Sequence, residues 1–288
     1  PTAAAISLYF ISKKLRESVT VALSGEGADE LFGGYSIYRL TKSVESFRRL
    51  PRSLRRLVAE PILGSLGAKA RKHLRLARLP IEERYAGVHV IDPAYREALY
   101  TDDYRAFLSR EHRPDYRDQL YQFTAGMDTL TRMLHVDLKT WLVDDLLIKA
   151  DKMTMANSVE LRVPFLDHKV VEFAATVPSR MKVRGREGKW ILKQAMSGHL
   201  PQEIISRSKL GFPTPLARMF QSSMGDYLFD VLLSPSAAIG SYFKRSVVEG
   251  LLREHVSRRR DHHAVLWQLL VLEEWHRAFV GQESITTP

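Results

Sequence analysis

Ser24-Gly25-Glu26-Gly27-Ala28-Asp29-Glu30 is the stretch on which the reading of this chain turns. It follows the apolar run Val19-Thr20-Val21-Ala22-Leu23 and leads into Leu31-Phe32-Gly33-Gly34-Tyr35. The pattern predicts a buried strand that ends in a glycine turn and passes into a helix. In open α/β sheets the carboxyl end of a parallel strand is where ligands bind. Gly25 and Gly27 permit backbone angles closed to other residues and let N–H groups approach a ligand. A helix N-terminus adds free N–H groups and a partial positive charge. Glu26, Asp29 and Glu30 lie three and four residues apart, so one helical turn places them on one side. Such a cluster suits Mg²⁺ bridged to phosphate oxygens, or a carboxylate acting as general base. It equally suits an ordinary helix start, where acids and glycines are favoured.

Working outward, the near-continuous apolar character of Val19–Leu23 predicts burial on both faces, as in a parallel sheet. A single parallel strand needs neighbours, and these are expected from sequence before Pro1. The chain is therefore expected to be part of a longer protein. Ala3–Arg16 reads as a helix with a broad apolar face. Beyond Glu26 the pattern is helical almost throughout. Segments are expected at Tyr38–Leu50, Arg52–Leu63, Ala68–Leu79, Tyr116–Leu142, Asp144–Ser158, Asp167–Thr176, Lys189–Leu200 and Ala264–Val280. Asp92-Pro93 is a helix-start pair. Leu210-Gly211-Phe212-Pro213-Thr214-Pro215 reads as an irregular loop, because proline resists helix and sheet interiors. The chain is read as helix-rich around one edge of an α/β sheet.

Composition narrows the function classes. An apolar fraction of 45% over 288 residues belongs to a globular chain. With no cysteine there is neither a disulfide nor a thiolate metal site. No run of sequence approaches a membrane span, and no signal peptide is visible. A cytoplasmic, reducing compartment is expected. The net charge of +10 and pI near 9.7 raise an anionic partner. The charge is concentrated at Arg48–Arg56, Lys69–Arg78 and Arg258–Arg260, with no reading module and no aromatic–basic interleaving. Solvated helix faces are the expectation, not nucleic acid. His135, His262 and His263 show no metal-ligand spacing.

Three blocks in order carry a resemblance. The first is Ser24 to Tyr35. The second runs from Asp144-Asp145-Leu146-Leu147-Ile148-Lys149-Ala150-Asp151-Lys152-Met153 to Glu160-Leu161-Arg162-Val163-Pro164-Phe165-Leu166-Asp167. The third is Gly188-Lys189-Trp190-Ile191-Leu192-Lys193 with Arg207-Ser208-Lys209-Leu210-Gly211-Phe212-Pro213. Together they resemble the synthetase domain of glutamine-hydrolysing asparagine synthetases. The resemblance implies a Rossmann-like ATP-pyrophosphatase fold. Residues 1–288 would be the C-terminal part of one synthetase domain, with a nucleotide-binding edge at 1–40 and a helical remainder at 41–288.

The resemblance also implies chemistry. ATP adenylates the side-chain carboxylate of aspartate, giving β-aspartyl-AMP and pyrophosphate, and ammonia from a glutaminase domain displaces AMP. Ser24 and Gly25 would contact the nucleotide, and Glu26 would assist amination. Asp29 would bind Mg²⁺ or place the substrate amine, with Glu30 beside it. Lys189 would stabilise the departing pyrophosphate, with Lys182, Arg184 and Arg186 adding to the field. Asp151 and Arg162 are supporting candidates. The Glu160–Arg162 pair reads either as a buried ion pair or as a substrate contact, and Asp144 and Asp145 as caps of the helix they open or as site residues. The expected partners are aspartate, ATP, ammonia and the N-terminal glutaminase domain; a homodimer is one compatible assembly. The catalytic cysteine of the glutaminase half and the Ser-Gly-Gly-x-Asp-Ser pyrophosphate loop are absent from these residues. Residues 1–288 alone are therefore expected to be inactive and to bind ATP weakly. Related adenylating enzymes, such as glycan amidotransferases and β-lactam synthetases, share the blocks. A non-catalytic basic binding module is the reading from another class.

Overall fold

The computed structural model describes residues 2–54, 67, 74–87, 93–111, 115–185, 187–207 and 214–280. The chain forms two compact units. One comprises Pro1–Phe10, Ile91–Arg113 and Leu210–Pro288, and the other Ile11–Val90 and Pro114–Lys209.

The second unit holds the sheet. Strand β1 (Val21–Leu23) pairs in parallel with β2 (Glu160–Arg162), Val21 opposite Glu160, Ala22 opposite Leu161 and Leu23 opposite Arg162. Among the described residues this two-stranded sheet is the whole of the β-structure beyond isolated bridges. The expectation that β1 is buried on both faces is not met. Val21 is 42% and Leu23 75% exposed. Side chains alternate across a strand, so the Val21 and Leu23 face is the one left to solvent while Ala22 is half-buried.

Helices build the rest of this unit. Ala28–Phe32 packs Leu31 and Phe32 against Ala174, Phe165, Leu166, Val170 and Ile191. Ser36–Arg48 and Thr129–Lys139 share a second cluster around Tyr38, Met133 and Val136. Asp137 is fully buried there and accepts hydrogen bonds from the Tyr38 and Tyr85 hydroxyls. Burial and this carboxylate push the Tyr38 phenol pKa far up, so both tyrosines stay donors.

Several element boundaries depart from the sequence reading. The single helix expected over Tyr116–Leu142 is two, Tyr116–Phe123 and Thr129–Lys139. Gly126 in a left-handed conformation separates them, and Asp128 caps the second by accepting from the Leu130 and Thr131 N–H groups. The chain then widens into a π-helix over Leu142–Leu147 before Ile148–Met155. Asp144 and Asp145 therefore lie inside a continuous helical stretch and do not cap it. Met181–Gly188 contains the end of the helix Ser179–Lys182 and a tight turn closed by paired Arg184 and Glu187 backbone groups. Asp92, Arg186, Ser208–Pro213 and most of Arg52–Leu79 lie outside the described residues.

The first unit is helical. The helix His263–Phe279 buries Leu266, Leu269, Leu270 and Glu273, a spacing of three and four that puts them on one face. They pack with Leu216, Phe220, Leu228, Val248 and Leu252. The buried Glu273 carboxylate accepts from the Ile239 N–H at 3.0 Å and from Arg277 Nε at 3.1 Å, which offsets its desolvation. Among the described residues no helix is long and apolar enough to cross a membrane.

Candidate active site

The predicted strand–turn–helix junction is present. The Ser24 N–H donates to the Arg162 carbonyl at 2.8 Å, carrying the ladder one residue past β1. Gly25 is exposed and Glu26 half-buried on the turn that follows. Gly27 then takes φ +86°, a left-handed conformation that suits glycine. A Cβ there would lie 2.2 Å from Leu166 Cδ2, so the absence of a side chain is also what lets the turn meet the Pro164–Leu166 segment. The short helix Ala28–Phe32 buries Ala28, Glu30, Leu31 and Phe32, leaving Asp29 partly exposed. It ends at Gly33, φ +73°, where the Gly33 and Gly34 N–H groups both donate to the Asp29 carbonyl at 2.9 Å.

Lys189 reaches this corner from 160 residues downstream. Its N–H donates to the Phe32 carbonyl at 3.0 Å. A Cβ on Gly188 would lie 2.4 Å from the Gly33 carbonyl oxygen, and one on Gly34 1.7 Å from Asp29 Oδ1 and 2.5 Å from Lys189 Cε. Two glycine-bearing loops thus meet at backbone distance. The result is an ion pair, Lys189 Nζ to Asp29 Oδ1 at 3.1 Å, with side chains 27% and 18% exposed. Asp29 Oδ1 is itself buried, and desolvation offsets much of the Coulomb gain of such a pair. The pairing is therefore better read as placement than as a source of stability. Lys189 itself sits at φ +55°, a conformation that L-residues with a Cβ rarely adopt.

The other candidates separate into two groups. Glu30 does not share the exposed side with Asp29. It is 1% exposed and accepts from the Tyr35 hydroxyl at 2.5 Å, while Trp141 Nε1 donates to the Tyr35 oxygen at 3.3 Å. Burial raises the Glu30 pKa, and the Tyr35 hydrogen bond opposes that shift. The five-residue helix is buried on most of its sides, at positions 28, 30, 31 and 32 alike, so Glu30 faces inward and Asp29 stays partly open. Arg162 Nε donates to Glu160 Oε1 at 2.9 Å, but the side chains are 63% and 55% exposed. The buried form expected of this pair is corrected to a surface one, because its strand positions share a solvent-facing side. Asp151 is exposed, and Asp145 pairs with the buried Lys149 at 3.3 Å. Lys182 turns inward at 5% exposed, and burial lowers its pKa against the opposing charge of Asp128. The exposed Arg184 guanidinium stacks over the Trp190 ring at 4.7 Å.

The structure therefore joins Ser24, Gly25, Glu26, Asp29 and Lys189 in one corner. Tyr35, Trp141, Gly34 and Gly188 are its unforeseen supports. Tyr35, Gly34 and Gly188 lie inside or beside the quoted blocks; Trp141 carried no signal at all, since one tryptophan on a helix face reads as core. Among the described residues no group of three acidic or histidine side chains forms a metal cluster. Mg²⁺ commonly takes one or two carboxylates and completes its shell with phosphate and water. Asp29, partly exposed on the corner, is a carboxylate of that kind.

Comparison with known proteins agrees with the resemblance that the three blocks carry. The asparagine synthase family pattern matches residues 2–277. The chain is 34% identical over 279 residues to asparagine synthetase (glutamine-hydrolysing) 1 of Bacillus subtilis, covering 95% of this chain and 43% of that protein. A Mycobacterium tuberculosis protein, provisionally named for the same reaction, is 37% identical over 286 residues, 98% of this chain and 43% of its own length. Asparagine synthetase (glutamine-hydrolysing) 3 of B. subtilis is 27% identical over 246 residues, covering 85% of this chain and 35% of that protein. The chain thus spans less than half the length of these relatives. A family pattern that runs from one end of the chain almost to the other encloses both the glycine corner and the lysine that closes on it, and on that ground this chain belongs to the asparagine synthase family.

Proposed function

We propose that this chain is the carboxylate-activating part of an ATP-dependent asparagine synthetase, in a Rossmann-like ATP-pyrophosphatase domain of which residues 1–288 form the C-terminal portion. The observation that carries the reading is the 3.1 Å approach of Lys189 to Asp29. It unites two blocks that only a shared task would require at one place.

In the reaction an oxygen of the aspartate side-chain carboxylate attacks the α-phosphorus of ATP. The bond to the β-phosphate oxygen breaks, and β-aspartyl-AMP and pyrophosphate form. Lys189, a compact point charge on a flexible stem, turns from Asp29 to the departing pyrophosphate oxygens. Ammonia, released from glutamine by the N-terminal domain of the full-length protein, then attacks the acyl carbon. Glu26 takes a proton from that nitrogen as AMP leaves. Ser24 and Gly25 line the nucleotide, and Gly25 offers no side chain to obstruct it. Asp29 is assigned to Mg²⁺ or to the substrate amine. Mg²⁺ would arrive with ATP and neutralise phosphate charge. Glu30, with Tyr35 and Trp141, holds the helix that bears Asp29; Arg162, Asp151 and Arg184 remain supporting assignments. A cytoplasmic location and a homodimer complete the proposal.

The test is the full-length enzyme supplied with aspartate, ATP, Mg²⁺ and glutamine. Stoichiometric asparagine, AMP and pyrophosphate support the reading. AMP and pyrophosphate from a different carboxylate, with none from aspartate, would transfer it to a related amidotransferase or cyclase. Lys189→Ala is expected to lower the rate of pyrophosphate release roughly 10²- to 10³-fold; an unchanged rate would remove Lys189 from the chemistry.

A further inference from the structure

The arginine run at Arg258–Arg260 finds no use in the reaction above, yet it borders a built concavity. In the unit containing Leu210–Pro288, a cavity of about 560 Å³ is lined by Thr214, Arg218, Gln221, Arg258 and His263. Arg105, Arg253 and Arg277 of the same unit all pair with carboxylates. Among the described residues Arg218 and Arg258 do not, so two exposed guanidinium groups without a carboxylate partner border one hollow. Asp261, three residues on from Arg258, is held by His263, Oδ1 to Nδ1 at 2.7 Å. Arg258 also takes φ +59°, strain that the surrounding contacts must maintain.

The walls are tied together from behind. His255 is fully buried. Its Nε2 lies 3.2 Å from the Ala217 carbonyl on one wall, and its Nδ1 accepts the His262 N–H at 3.1 Å on the other. Only the neutral imidazole with its proton on Nε2 makes both bonds. Burial favours that neutral form, against the opposing charge of Asp261. The His262 ring is fixed in turn by Glu254 Oε2 at 2.6 Å and the Tyr95 hydroxyl at 3.1 Å. The Arg259 N–H donates to the Glu254 carbonyl at 3.0 Å. The loop that carries Arg258 is therefore held in place before any ligand arrives.

We propose that this concavity is an anion site, distinct from the Glu26–Lys189 corner, that takes the phosphoryl group of a small metabolite between Arg218 and Arg258. Two planar guanidinium groups match the charge of a phosphate dianion and grip its oxygens in pairs. Pre-set walls lower the ordering cost of binding.

The test titrates the 288-residue chain with inorganic phosphate, pyrophosphate and succinate by calorimetry at low ionic strength. Phosphate or pyrophosphate is expected to bind in preference to succinate. Arg218→Gln should weaken that binding on the order of tenfold, and Arg218→Gln with Arg258→Gly about a hundredfold. Glycine suits the left-handed backbone at position 258, so this variant is expected to fold, as its far-ultraviolet circular dichroism will report. Should the double variant fail to fold, the single Arg258→Gly decides. Lys189→Ala should leave phosphate binding unchanged. No binding at millimolar phosphate or pyrophosphate, binding indifferent to the arginine substitutions, binding lost with Lys189→Ala, or a response to succinate alone would each overturn the proposal.

Discussion

A methyl group at position 188 has nowhere to go. Its nearest neighbour would be a backbone carbonyl, the Gly33 oxygen at 2.4 Å, and backbone yields far less readily than a side-chain tip. Gly188→Ala should push the Lys189 loop off the Asp29 corner and slow amide formation roughly 10²-fold, the scale of loss for small misplacements of reacting groups. Steady-state rates of the full-length enzyme check this; an unaltered rate would show that the two loops need not touch. Glu26 calls for the opposite kind of test, one that preserves shape and removes only charge. Glu26→Gln is expected to reduce the amination rate by about 10²- to 10⁴-fold with no change in melting temperature. Full activity in that variant would assign the proton transfer elsewhere.

At the scale of elements, buried polar groups set the response to pH and mutation. The pKa of Glu30 is raised above its ordinary value of 4.5, so the folded state holds the proton more tightly than the unfolded chain. Its contribution to stability is therefore full below the unfolded value and is lost as pH rises through the folded one. Glu30→Gln keeps an acceptor for Tyr35 without that penalty. The variant should gain stability relative to the parent as pH rises above the ordinary carboxyl value of 4.5, as urea denaturation will measure; a constant difference would contradict the burial argument. Tyr38→Phe removes one donor from the buried Asp137 and is expected to cost about 1–3 kcal/mol by the same measurement. How much was legible in the sequence follows from the same distinction between local and distant causes. The β1 strand, its glycine turn and the Ala28–Phe32 helix were readable because each depends on neighbours along the chain. The helix expected over Asp167–Thr176 was readable for that reason too, and it opens with Asp167 accepting from the Lys169 N–H at 2.9 Å. The π-helix at Leu142–Leu147 was not, since a wide turn has no side-chain period of its own within six residues. The inward turn of Glu30 was equally hidden, because it depends on packing around Leu31 and Phe32 that no local spacing records.

At the scale of the whole molecule, the apolar face at Val21 and Leu23 bears on what residues 1–288 can do alone. Calorimetry is expected to find no micromolar ATP affinity in this chain, and the full-length protein to bind normally; tight binding by the shorter chain would refute the dependence on residues outside it. One further consequence concerns Lys189. Its backbone occupies a conformation better suited to glycine, so the molecule carries a steric burden on the order of 1 kcal/mol at that residue. Lys189→Gly should accordingly melt later than Lys189→Ala, although both lack the ammonium group. On the role proposed for Lys189, selection for heat tolerance would favour glycine at that codon and selection for turnover would hold it as lysine.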